Sequence, residues 1–75
     1  MTRIRQFTAI IERDEETFVA LSPELDIASQ GDSEDEARQN LVEAIELFFE
    51  TASPDELERR AREVVSITRV DVEVA

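Results

Sequence analysis

Cysteine and histidine are both missing from this sequence, and the two absences remove much of the chemistry a small domain can carry. Without thiols there is no disulfide framework, and without thiols or imidazoles the usual structural zinc sites cannot be built. The commonest catalytic arrangements at neutral pH are excluded as well, because they need a group titrating near 7, a thiolate, or a hydroxyl with a base beside it. Tryptophan and tyrosine are absent, which leaves four phenylalanines as the only aromatic residues. No apolar run approaches the roughly 18 residues of a membrane span. The opening Met1-Thr2-Arg3-Ile4-Arg5 lacks the apolar stretch of a signal peptide. A cytoplasmic protein with no membrane association is the expectation.

Lysine is absent too, so the eight basic side chains are all arginine, set against nineteen acidic ones for a net charge of -11. Such a charge disfavours phosphate backbones, and no direct nucleic-acid binding is expected, whereas a basic protein partner would be attracted. Acidic excess is equally a device that keeps halophile proteins in solution. Charge alone does not choose between recognition and a salty cytosol.

What is present fits one domain, residues 1–75. A chain of 75 residues buries only about 60% of the surface it exposes when unfolded, so its core is small. With disulfides and zinc excluded, self-association is the remaining common source of stability, and a dimer or tetramer is expected.

Along residues 3–12, Phe7, Ala9 and Ile11 share one face at period two, which predicts a strand. Asp14-Glu15-Glu16 is a polar turn, and Thr17-Phe18-Val19-Ala20-Leu21 is rich in β-branched and aromatic residues, so the pair reads as a hairpin. Pro23 interrupts the pattern, and a short strand over residues 27–30 leads to the single glycine, Gly31. Ser33 followed by Glu36 forms a capping box, with Asp32, Glu34 and Asp35 adding negative charge where a helix dipole is positive. From there Ala37, Leu41, Ala44, Ile45, Phe48 and Ala52 recur at helical spacing and form a stripe that should face the sheet. Ser53-Pro54-Asp55-Glu56 repeats the start signals for a short second helix to about Arg62, with Arg59, Arg60 and Arg62 complementing its C-terminal dipole. Residues 64–74 are strongly β-branched and read as a final strand. Val65 and Ile67 share one phase there and Val70, Val72 and Val74 the other, so a bulge near Thr68-Arg69 is needed. The predicted class is α+β, in the order β-β-β-α-(short α)-β, with a small mixed or antiparallel sheet carrying the main helix on one face.

Glu12, Asp14, Glu15 and Glu16 cluster closely enough in sequence to bind Mg²⁺ for a nuclease-type reaction, but their spacing is not diagnostic of one. A solvated hairpin turn is the preferred reading. No catalytic residue, metal site or cofactor is assigned, and the protein is not expected to be an enzyme.

Phe18-Val19-Ala20 followed by Pro23-Glu24-Leu25, then Gln30-Gly31-Asp32-Ser33 and Glu36-Ala37, resembles the core of HicB-type antitoxins over residues 7–50. Each matched position also has a local reason: Pro23 ends a strand, Leu25 can close over the core edge, Gly31 permits a tight turn, and Ser33 with Glu36 starts a helix. The resemblance implies a partial ribonuclease-H-like domain lacking the nuclease site, with the last strand parallel to the first and beside it. It also implies a task, neutralising a small basic RNA-cleaving toxin by covering it. The sequence carries Asp26-Ile27 where many members have a Pro-Gly step. It ends at Ala75, without the DNA-binding segment many members add, so operator binding is not expected. The alternative is a homo-oligomeric structural or interaction protein of the same fold with no toxin partner. Candidate partner contacts are Glu12, Asp14, Glu15, Glu16, Glu24 and Asp26. Candidate oligomer contacts are Ile4 and Ile10 on the outer sheet face, and Val42 and Phe49, which widen the apolar face of the main helix.

Overall fold

A computed structural model of the protein describes residues 5–75. Strands β1 (Ile10–Asp14), β2 (Thr17–Ser22) and β3 (Ile27–Gly31) precede helices α1 (Glu34–Thr51) and α2 (Pro54–Arg60). The strands form one antiparallel sheet in the order β1-β2-β3, and α1 packs on one face of it, chiefly over β3 and β2. The α+β class and the order of these five elements are as the sequence pattern predicts. β1 begins at Ile10, so residues 5–9 lie outside the ladder.

The β1–β2 register pairs Asp14 with Thr17 and leaves Glu15 and Glu16 as a two-residue turn. Glu15 takes a φ of 58°, in the left-handed region that such tight hairpin turns use to match strand twist. Alternation then assigns the faces. Ile11, Ala20 and Ser29 stand in line across the sheet and face α1, as do Phe18 and Gly31. Ile10, Leu21 and Ala28 form the matching line on the outer face.

Ala20, Ala37 and Leu41 are buried at the centre, with Ile11, Phe18, Ile27 and Ile45 packed around them. Two of those three central residues are alanines, which lets α1 lie close against β2. The closest approach is at Gly31, where an added Cβ would stand 2.6 Å from the Ala37 nitrogen and 2.8 Å from the Glu36 carbonyl carbon. Gly31 has no positive φ, so glycine is required there by backbone crowding and not by a turn conformation. Both helices start as the sequence predicts: the Glu36 N–H donates to Ser33 Oγ at 3.1 Å and the Glu56 N–H to Ser53 Oγ at 3.2 Å, with Pro54 opening α2.

The final strand is the exception. Among the described residues, 64–74 pair with no strand, the sheet is purely antiparallel, no parallel crossover is made, and no bulge forms at Thr68-Arg69. The β-branched composition expresses a preference for a pleated, half-buried surface, and that preference is realised only where a neighbouring strand provides one. The chain leaves α2 with the Arg62 N–H donating to the Glu24 carbonyl at 2.8 Å, and beyond Val64 every residue is exposed.

Candidate interaction surface

Two surfaces lie uncovered, and the sheet separates them. The outer face presents Ile10, Val19 and Leu21, all partly buried by their neighbours, with Glu12 and Asp14 exposed beside them on β1. Glu15 and Glu16 extend this acidic border around the turn. Four of the six predicted partner contacts therefore gather at one end of one face. Glu24 and Asp26 do not join them. They sit beyond the far end of β2, a six-residue strand that spans about 20 Å at roughly 3.3 Å per residue.

Glu24 is also committed inside the fold. Its Oε2 accepts from the Thr8 N–H and the Thr8 hydroxyl, each at 2.8 Å, and its Oε1 accepts from Ser22 Oγ at 3.2 Å. Ser22 is fully buried. Partial desolvation pushes the Glu24 carboxyl upward, but hydrogen bonds from the Thr8 backbone and side chain, its own backbone and Ser22 outweigh this and hold its pKa below the ordinary value. The carboxylate ties residues 5–9 to the β2–β3 loop. The same loop is held from the other side, where Arg60 Nη2 donates to the Leu25 carbonyl at 2.7 Å and the Arg60 guanidinium lies 4.9 Å from the Phe48 ring centre. Leu25, at 1% exposure, closes the end of the core as expected. Asp26 takes a φ of 55°, the left-handed conformation that short polar side chains tolerate.

The second surface is a groove of about 1240 Å³ between residues 5–9 and α1, whose lining includes Phe7, Ala9, Leu41, Val42, Ile45 and Phe49. Phe7 and Phe49 stack at 5.6 Å between ring centres, and the Arg5 guanidinium lies 5.3 Å from each. The predicted oligomer contacts are thus divided. Val42, 43% exposed, and Phe49 line the groove, Ile10 stands on the outer face, and Ile4 lies outside the described residues.

The two sheet edges differ. On β3, the Gln30 carbonyl accepts from Asn40 Nδ2 of α1 at 2.8 Å, so one acceptor of that strand is already occupied by the helix. α1 barely reaches β1, and among the described residues no strand pairs with the outer edge of β1. Sequence reasoning missed the Glu24, Arg60 and Asn40 contacts, which join residues 16, 35 and 10 positions apart and leave no local signature. Among the described residues no group of three or more carboxylates is arranged to hold a metal ion, and no helix is long and apolar enough to cross a membrane. Comparisons with protein-family models, curated protein sequences and solved structures find no match to this chain.

Proposed function

We propose that the domain is a protein-binding module that neutralises a small basic RNA-cleaving toxin by covering it, with no catalysis of its own. The observation that carries this reading is the outer sheet face, where Ile10, Val19 and Leu21 form an apolar centre and Glu12, Asp14, Glu15 and Glu16 an acidic border. A desolvated apolar middle gives affinity, and a one-signed border selects and steers an oppositely charged partner. The motif resemblance to HicB-type antitoxins supplies the class of partner. A homo-oligomer with no toxin is the second reading, favoured by the apolar groove and the unpaired residues 64–74.

The test uses a short basic protein encoded beside this chain in its host. Added at equimolar ratio, the domain should suppress that protein's RNA cleavage. The complex should weaken as salt rises. Replacing Glu12, Glu15 and Glu16 by Gln and Asp14 by Asn should slow association by roughly tenfold or more. Cleavage that continues undiminished under excess domain sinks the toxin reading.

A further inference from the structure

Residues 64–74 display Val65, Ile67, Val70, Val72 and Val74 to solvent at 64% to 88% exposure. Among the described residues no strand pairs with the outer edge of β1, and a groove with an apolar floor lies beside it. We propose that residues 64–74 of one copy lie as an added strand along β1 of a second copy, their apolar side chains filling the groove, and that the exchange is reciprocal.

The fit has four parts. The donor segment has eleven residues, enough to cover the five of β1 and run on over residues 5–9, where the groove lies. An extended strand needs a row of free backbone groups, and β1 offers one, whereas Asn40 already occupies the Gln30 carbonyl on β3. The two phases of apolar side chains reach the same side if a one-residue bulge falls at Thr68-Arg69. Phe7, Val42, Ile45 and Phe49 would then meet the donated valines. Reciprocity doubles the surface that one contact buries, toward the roughly 1,600 Å² typical of a stable complex. A second copy is the occupant because this chain already carries both halves of the contact. Its own segment does not pair with its own β1 and is held at its base by the bond between the Arg62 N–H and the Glu24 carbonyl.

The exchange goes beyond the toxin reading and is separable from it. Each copy carries a charge of -11, so association of two copies strengthens as salt rises, while binding of a basic protein weakens.

Light scattering on the full chain at micromolar concentration in molar salt should give the mass of two chains. The double variant Val70→Asp, Val72→Asp should raise the dissociation constant by roughly 100-fold or more. Its far-UV circular dichroism should still show the hairpin and both helices, because Val70 and Val72 are exposed and lie outside every strand and helix. Because the chain has no cysteine, Ala9→Cys protein can be mixed with Val70→Cys, Val72→Cys or Val74→Cys protein and oxidised. At least one pairing should give a disulfide between the two different variants. A monomer mass for the unsubstituted chain overturns the proposal. So does a dimer that survives the double Asp variant, which would place the contact on the outer sheet face.

Discussion

Gly31 shows how one distance decides the sign of a substitution. Alanine in place of a strand glycine ordinarily stabilises by restricting the unfolded chain. Here the new methyl would stand 2.6 Å from the Ala37 nitrogen and 2.8 Å from the Glu36 carbonyl carbon, and those backbone atoms belong to the first turn of α1. Gly31→Ala should therefore destabilise by about 1–3 kcal/mol, the usual cost of overpacking, read as a lower urea midpoint with unchanged slope. Glu24 makes a different residue-scale prediction. Its folded pKa lies below the ordinary 4.5, so the carboxylate binds fewer protons in the folded state than in the unfolded one. Its stabilisation is complete above the unfolded value and is lost as pH falls through the lower folded one. Glu24→Gln should cost about 1 kcal/mol at pH 7. The gap between variant and parent should close as urea titrations are repeated below pH 4.5, and a gap independent of pH would contradict the assignment.

At the scale of elements, the β1–β2 turn carries a local conflict. Glu15 holds a φ of 58°, where a side chain costs roughly 1–2 kcal/mol and glycine costs little. Part of the gain from Glu15→Gly is offset by the greater freedom of unfolded glycine, so the expected stabilisation is about 0.5 kcal/mol, visible as a higher melting temperature. Elements that depend on local chemistry were legible in the sequence. Ser33 and Ser53 marked both helix starts, Asp14-Glu15-Glu16 marked the hairpin, and the stripe from Ala37 through Ile45 identified the face of α1 that meets the sheet. Elements that depend on a distant partner were not. β1 is shorter than its alternation implied because the Thr8 N–H goes to the Glu24 carboxylate and not to a ladder. Residues 64–74 have strand composition but pair with no strand among the described residues. Of the candidate surface residues, the four acids of β1 and its turn could be grouped from sequence because they are neighbours in it. The diversion of Glu24 into the fold could not, since Thr8 and Ser22 reach it only after the hairpin has formed.

For the molecule as a whole, the dominant quantity is charge. A net -11 is spread over a surface where, among the described residues, Arg38 with Asp35 forms the one ion pair. Self-repulsion of this kind opposes the compact state and is screened by salt. The melting temperature should rise by roughly 5 °C or more between low and molar sodium chloride. A melting temperature indifferent to salt would mean that the acidic surface carries little strain. The hydrogen bond from Asn40 to the Gln30 carbonyl has a consequence at this same scale. A contact of tail into edge is head to tail, so it either closes as a reciprocal pair or grows without limit. With one β3 acceptor spent on its own helix, the chain favours β1 as the docking flank, and reciprocity is what keeps the pair clear of fibres.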